Sequence, residues 1–161
     1  MNHRQRPLRF EVIGQEQQRN FAVVYRSKDC ALDSVPPQTA GGYSLNINDV
    51  QLELSASGLV NYVWGYCPRA SWQTTRSEPP PASPGELRVA PMLELVPGVS
   101  ICVSKRRVPV YYNEGSHWLC LGNPLANAKQ GFCVRIAPSI IIVGNSSHIF
   151  ALWVKIARFE P

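Results

Sequence analysis

The sequence has few charged residues and contains no long apolar run. Charged residues make up 17% and hydrophobic residues 45% of the 161-residue chain, a composition that is typical of globular proteins and excludes disorder of the whole chain. No apolar stretch approaches the roughly 20 residues that a membrane-spanning helix needs. The segment from Met1 to Phe10 is charged and lacks the apolar core, roughly seven residues long, of a secretory signal. We therefore expect a cytoplasmic protein without a membrane partner.

Closely spaced cysteines are also absent. The five cysteines contain no C-x-x-C pair, and their number is odd. They are Cys30, Cys67, Cys102, Cys120 and Cys133. A scattered, odd set without a secretory signal is typical of reduced thiols. The sequence therefore predicts five free thiols and no disulfide.

The spacing of a structural zinc site is missing too. His117, Cys120, Cys133 and His148 are suitable ligand types, but structural zinc usually takes its ligands from tight turns with close spacing. On a strand, His117 and Cys120 point to opposite faces because an odd number of positions separates them. We expect no metal site and no cofactor.

Sequence signatures of catalysis are equally scarce. The chain has no G-x-S-x-G nucleophile elbow and no glycine-rich phosphate loop, which leaves hydrolase and nucleotide-binding chemistry unsupported. Of the three histidines, His3 lies in the terminal segment. An enzyme that uses His117 or His148 in a barrel mouth or a sheet cleft is therefore kept as the alternative function.

Positive charge exceeds negative charge, with 16 Lys and Arg residues against 11 Asp and Glu residues and a net charge of +5. Arg4, Arg6 and Arg9 all lie near the amino terminus, so residues 1–7 are predicted to form a flexible basic arm. The other dense basic run is residues 105–107. Because no folded basic face is visible, nucleic-acid contact through the arm is only a third hypothesis, and we expect no nucleic-acid partner.

The 14 prolines and 11 glycines imply many turns and short elements. Prolines concentrate in residues 78–85, a segment that is predicted to form a surface loop because its prolines cannot donate to a sheet. Division of the chain at this segment would leave two domains with marginal cores. A single domain over residues 1–161 is therefore predicted.

A hairpin over residues 50–66 is the clearest local prediction. Apolar residues alternate with polar ones in 50–54, and large rings alternate with smaller residues in 60–66, which is typical of strands with one buried face. A three-residue loop with Gly58 in the left-handed conformation sets the register. The predicted pairs are Leu54 with Val60, Leu52 with Tyr62, and Val50 with Trp64.

Similar patterns predict strands elsewhere in the chain. The predicted strands cover residues 8–13, 21–26, 93–96, 99–103, 108–112, 117–121, 132–136 and 140–143. Residues 149–159 fit both a helical stripe and a strand face, and their β-branched and aromatic content favours a strand. Asn123 as a cap, Pro124 at the first position and Gly131 after the end predict a short helix over 124–130.

Together these patterns predict a mostly β fold. About nine to eleven strands joined by short turns indicate an antiparallel β-barrel or a two-sheet sandwich built of meander hairpins. The short helix at 124–130 is the one helix expected.

Aromatic residues supply the candidate site. Pro68 is expected to end the strand that carries three of the rings and to begin a loop that carries Arg69 and Trp72. Since Tyr111 and Tyr112 are adjacent, one of them is expected to face away from the core. The predicted ligand-binding residues are Tyr62, Trp64, Tyr66, Arg69, Trp72 and Tyr112.

An aromatic-lined sheet face suits a flat or cationic small molecule, or a protein partner. The favoured function is a non-catalytic binding or accessory protein, with a homodimer and plain core packing of the rings as open alternatives. If Trp72 lies at the rim of a site, its replacement by alanine is expected to cost less than about 1.5 kcal/mol. The same change at an interior Trp153 is expected to cost at least twice that.

Overall fold

The computed structural model describes residues 6–14, 19–39 and 41–161. This part of the chain contains fifteen β-strands and three single-turn 3₁₀ helices. The strands are β1 (Arg9–Ile13), β2 (Ala22–Arg26), β3 (Ala31–Val35), β4 (Tyr43–Ile47), β5 (Val50–Leu54), β6 (Val60–Tyr66), β7 (Trp72–Thr74), β8 (Ser83–Pro84), β9 (Glu86–Ala90), β10 (Ser100–Cys102), β11 (Val110–Tyr112), β12 (Trp118–Gly122), β13 (Phe132–Ala137), β14 (Ile140–Gly144) and β15 (Ile149–Glu160). The helices span Arg69–Ser71, Met92–Glu94 and Ala128–Gln130. The mostly β class is confirmed, and no helix in the described ranges is long and apolar enough to cross a membrane.

Thirteen of the strands form one continuous sheet around the long carboxy-terminal strand β15. The neighbours run in the order β10-β4-β5-β6-β3-β2-β15-β12-β11-β7, while β14, β13 and β8 follow one another from β15. The first part of β15 pairs antiparallel with β12 and β14, and its last part pairs parallel with β2. The described strands do not close into a barrel, and the arrangement is compatible with a sandwich. Strands β1 and β9 form a separate antiparallel ribbon.

The connectivity is less of a meander than the sequence predicts. Antiparallel neighbours in sequence order are present, as in β4-β5-β6 and β13-β14-β15. However, four of the pairs between the described strands are parallel: β10 with β4, β11 with β7, β13 with β8, and β15 with β2. These pairs join segments that lie far apart in the chain, and local turn signals carry no information about such partners.

Three local predictions need correction. Residues 93–96 are not a strand, because Met92–Glu94 form a 3₁₀ turn. The strand predicted over 99–103 is shorter than expected, and it spans Ser100–Cys102, which pair with β4. The helix predicted over 124–130 shrinks to the turn Ala128–Gln130, where Asn127 Oδ1 accepts a hydrogen bond from the Lys129 amide. Asn123 accepts from the Leu125 amide instead of opening a longer helix. The strand prediction for the carboxy-terminal run is confirmed.

A β-bulge changes the predicted register of the β5–β6 hairpin. Leu54 pairs with Val60 as predicted, but Leu52 lies opposite Val63 and Gln51 lies opposite Trp64. The extra residue is Asn61, whose side-chain oxygen accepts a hydrogen bond from Arg19. The predicted pairs Leu52–Tyr62 and Val50–Trp64 are therefore wrong, and the alternation beyond the bulge is shifted by one residue.

Two apolar cores lie on opposite faces of the sheet. The main core contains Leu45, Leu52, Val63 and the other inward residues of β2–β6, together with Leu152 and Val154 of β15. The second core contains Trp153, Cys120 and Ile141, because adjacent residues of β15 point to opposite faces. The strands around β15 are thus buried on both sides.

The proline-rich segment 78–85 lies against this second core. Ala82 packs on it, and Ser83–Pro84 form a short parallel pairing with β13 that the sequence did not predict. Most of the predicted basic arm, residues 1–5, lies outside the described residues, whereas Arg6 and Pro7 are exposed and Leu8 packs against the main core.

Candidate functional site

The six predicted site residues separate into two groups. Trp64 and Tyr66 are exposed on the outer face of β6, whereas Tyr62 of the same strand is buried in the main core. The other three residues are Arg69, Trp72 and Tyr112. They lie in a ring cluster that packs against that core.

The bulge at Asn61 explains why Trp64 is accessible. It turns Val63 into the main core and leaves Trp64 and Tyr66 on the outer face, where they are 39% and 52% exposed. Gly65 lies between them with φ +134°, and a Cβ there would collide with the Asp49 carbonyl oxygen. Glycine therefore allows β5 and β6 to approach closely beneath the two exposed rings.

Trp64 borders a groove of about 310 Å³ on this outer face, here called the Trp64 groove. Its other lining residues are Gly42, Ser44, Gln51, Glu53, Gly98 and Ser100. The hydroxyls of Ser44 and Ser100 share a hydrogen bond of 2.6 Å, and Ser100 also lies 3.4 Å from Gln51 Oε1. The floor is thus a row of small polar groups beside one indole ring.

Glu53 carries the only formal charge among these lining residues. Its Oε1 accepts a hydrogen bond of 2.9 Å from Trp64 Nε1, while the residue is only 7% exposed. None of the ion pairs in the described ranges includes Glu53. A carboxylate this buried normally has a cationic partner, because removing an unpaired charge from water is costly.

Tyr62 lies beside this carboxylate, opposite Glu53 across the hairpin. The ring is 8% exposed. Burial raises the pKa of the Tyr62 phenol, and the nearby charges of Glu53 and Asp33 add to the rise. Tyr62 therefore stays neutral at physiological pH, and it packs in the main core instead of offering an open ring face to the groove.

Trp72 belongs to a cluster of four aromatic rings. Its ring centroid lies 4.9 Å from that of Tyr25 and 5.1 Å from that of Tyr112. Phe159 completes the cluster, and the exposed Arg69 guanidinium lies 4.9 Å from the Phe159 ring centroid. Tyr112 is buried while the adjacent Tyr111 contacts the second core, as expected for neighbouring strand residues. These rings pack mainly on one another, so they offer less open surface than Trp64.

The cluster contains a buried phenol, that of Tyr25, and a buried thiol, that of Cys67, lies next to Trp72. Tyr25 Oη donates to the Cys67 carbonyl oxygen and accepts from the Arg69 amide. Burial raises the pKa of Cys67 to about 11, although the Trp72 indole lowers it somewhat. Burial also raises the pKa of Tyr25 to about 12. Both groups are therefore neutral and unreactive at physiological pH.

The raised pKa predicts a loss of stability in alkaline solution. In the unfolded chain the Cys67 thiol ionises around its ordinary pKa of 9.0, whereas the folded thiol ionises only at about 11. Proton loss therefore favours the unfolded state as the pH rises through this interval. We expect urea unfolding of Cys67→Ala to lose less stability between pH 8 and pH 10.5 than the parent protein does. Cys102→Ala, which removes an exposed thiol, should keep the full pH dependence.

Neither candidate histidine belongs to an acid–base pair within the described part of the chain. His117 Nδ1 lies 2.9 Å from Tyr112 Oη, and His148 stacks on Phe150 with ring centroids 6.4 Å apart. Neither imidazole forms a hydrogen bond to a carboxylate or a thiol in residues 6–14, 19–39 and 41–161. All five cysteines are free thiols, and no three potential metal ligands come together in these ranges.

Sequence reasoning found Trp64 but missed its polar neighbours. Alternation placed Glu53 on the outer face, and nothing in the pattern showed that an indole would cover it. The serines of the groove come from β4 and β10, a parallel pair that no local signal predicts. No protein-family model and no curated protein matches this chain.

Proposed function

We propose that this protein is a non-catalytic binding protein whose Trp64 groove holds a small cation with a flat face. The observation that carries this proposal is the buried carboxylate of Glu53, which has no cation partner in the described residues and opens on an accessible indole. A bound cation would supply the missing partner.

The two groups recognise a cation in complementary ways. A cation over an indole face gains roughly 0.5–2 kcal/mol, and more as water is excluded. A carboxylate adds a charge-assisted hydrogen bond to an N–H donor. Since Glu53 Oε1 already accepts from Trp64 Nε1, the second carboxylate oxygen is the acceptor for the ligand. Ser44, Gln51 and Ser100 would then bind polar substituents of the ligand.

The shape of the groove favours a small molecule over a protein partner. A concave volume of about 310 Å³ matches the lower end of small-ligand sites, which range over roughly 300–1,000 Å³. A protein interface of ordinary size would require a much larger and flatter apolar patch.

Benzamidinium and its uncharged analogue benzamide test the proposal. They share a ring and nearly the same shape, and only benzamidinium is charged. We expect isothermal titration calorimetry to detect benzamidinium binding at least about tenfold tighter than benzamide binding, a difference of about 1.4 kcal/mol. Trp64→Ala and Glu53→Gln should each weaken benzamidinium binding by about tenfold. Glu53→Gln keeps an oxygen that can accept from Trp64.

Tyr66→Ala is the matched control, because it removes an exposed ring from the same strand that does not line the groove. This variant should bind benzamidinium like the parent. Equal binding of benzamidinium and benzamide would exclude the charge-based proposal. If Tyr66→Ala and Trp64→Ala weakened benzamidinium binding equally, the ligand would not bind in the Trp64 groove.

A further inference from the structure

The two basic runs of the sequence meet at a second cavity. Arg6 and Lys105 both line it, although 99 positions separate them in the chain. The cavity has a volume of about 340 Å³, and it is called the basic cleft below. Its other lining residues are Pro7, Leu8, Phe10, Ile101, Cys102, Val103 and Ser147.

Pairing of the amino-terminal segment with the rest of the fold forms one wall of this cleft. The Phe10 amide donates to the Ser146 carbonyl oxygen, and the Arg9 guanidinium lies 3.3 Å from the Ser147 hydroxyl and 3.4 Å from that of Ser146. Leu8 packs against the main core. The docking of residues 8–10 brings the chain at Arg6, two positions before Leu8, to the cleft.

A second part of the lining comes from β10 and the turn after it. The Val103 amide donates to the Asn46 carbonyl oxygen, which extends the pairing of β10 with β4. Ser104 Oγ donates to the Arg106 carbonyl oxygen and folds the turn that carries Lys105. Arg107 in the same turn pairs with Asp49, whereas Lys105 forms no ion pair with any acid in the described ranges.

The basic cleft combines positive charge with apolar surface and has no acidic residue in its lining. Arg6 has no ion-pair partner in the described part of the chain. The apolar part of the lining, called the floor below, consists of Leu8, Phe10, Ile101 and Val103. Two cations without acidic partners beside an apolar floor are complementary to a molecule with an anionic head and an apolar body.

We propose that the basic cleft binds an amphiphilic anion, with its carboxylate or phosphate head between Arg6 and Lys105. The alkyl chain or ring of this ligand lies on the floor formed by Leu8, Phe10 and Val103. This site is separate from the Trp64 groove and takes a ligand of opposite charge. Its existence does not depend on the proposed function.

The exposed thiol of Cys102 is a built-in reporter of occupancy, since it lines the cleft. Decanoate is the probe, iodoacetamide is the neutral thiol reagent, and peptide mass spectrometry measures the modification of each cysteine. If decanoate occupies nine-tenths of the chains, Cys102 should be modified about tenfold more slowly, because only the free fraction reacts. The half-buried Cys30 does not line the cleft and should react at an unchanged rate.

Two ligand controls separate the head from the tail. Decyltrimethylammonium has an alkyl chain of similar length to that of decanoate but a cationic head. Acetate has the carboxylate without the long alkyl chain. We expect neither to protect Cys102 at concentrations where decanoate does. Equal protection by decyltrimethylammonium would overturn the role of the two cations. Equal protection by acetate would overturn the role of the apolar floor.

Charge-reversal variants locate the site. Arg6→Glu and Lys105→Glu should each reduce the protection by decanoate by about tenfold in apparent affinity, which corresponds to about 1.4 kcal/mol. Lys129→Glu makes the same charge change at an exposed residue outside the cleft and should retain the protection. The proposal fails if Lys129→Glu loses as much protection as Lys105→Glu. Decyl phosphate in place of decanoate distinguishes a phosphate head from a carboxylate head.

Discussion

Replacement of Trp153 by alanine should lower the free energy of unfolding by about 3–5 kcal/mol, as is typical of a fully buried tryptophan. Trp153 is 0% exposed and packs in the second core against Cys120 and Ile141, which lie opposite it on the two neighbouring strands. Both neighbouring strands are held by main-chain hydrogen bonds, so the vacated space cannot close by a simple shift of one strand. Urea unfolding, monitored by circular dichroism, measures the loss.

Trp72→Ala is the natural comparison, because this ring is only half-buried. From the sequence alone, a rim position implies a loss below about 1.5 kcal/mol. In the structure the ring contacts Tyr25 and Tyr112, with centroids 4.9 and 5.1 Å away, so we now expect about 2 kcal/mol. The loss should remain clearly smaller than that of Trp153→Ala. Equal losses for the two variants would mean that the second core packs no more tightly than the half-buried ring cluster around Trp72.

Patterns along the chain predicted the class of fold well, because alternation reports one buried face. Strand β15 shows the limit of this signal. Its residues satisfy both a helical and a strand pattern, since residues 151–154 are buried on both faces and the apolar residues from 149 to 154 are continuous. Strands β3, β4, β7 and β9 were not predicted, although β4 (Tyr43–Ile47) has the same alternation of apolar and polar residues as the strands that were.

The candidate site depended on a feature that no pattern reveals. With an unbroken register, Trp64 shares a face with Val60, which lies in the main core. The bulge at Asn61 moves Trp64 to the outer face and brings it to Glu53. The bulge itself accompanies a hydrogen bond from Arg19, a residue 42 positions away. The identity of the site residues was thus partly predictable, whereas their grouping required the tertiary structure.

Arg19 is the centre of a buried polar network. Its Nη1 donates to Glu86 Oε1 and to the Ile136 carbonyl oxygen, each at 2.9 Å, while Nη2 lies 2.6 Å from Glu86 Oε2. Nη2 also donates to Asn61 Oδ1 in the bulge. The Arg19 and Glu86 side chains are only 7% and 4% exposed. This one guanidinium connects the β1–β9 ribbon to β13 and to the bulge that positions Trp64.

Arg19→Met should therefore lower the free energy of unfolding by about 3–5 kcal/mol, because it breaks a buried ion pair and removes two charge-assisted hydrogen bonds to the Glu86 carboxylate. Methionine keeps much of the apolar volume, so the loss reports mainly on charge and hydrogen bonds. We expect Arg19→Met combined with Glu86→Leu to be less destabilising than the sum of the two single changes, since the double variant removes both buried charges. Urea unfolding of the parent, the two single variants and the double variant gives the four free energies of this double-mutant cycle.

Arg26→Met supplies the matched control for this cycle. Arg26 forms ion pairs with Asp33 and Glu160 of similar length, 3.0 and 2.9 Å, but its side chain is 39% exposed. Water and salt screen such pairs, so their removal should cost much less than the removal of Arg19. Added salt should narrow the difference between the parent and Arg26→Met and should leave the effect of Arg19→Met nearly unchanged. Losses of the same size in the two variants would show that the Arg19 network contributes no more than a surface pair. In that case the bulge at Asn61 would have to be held by the pairing of β5 with β6 alone.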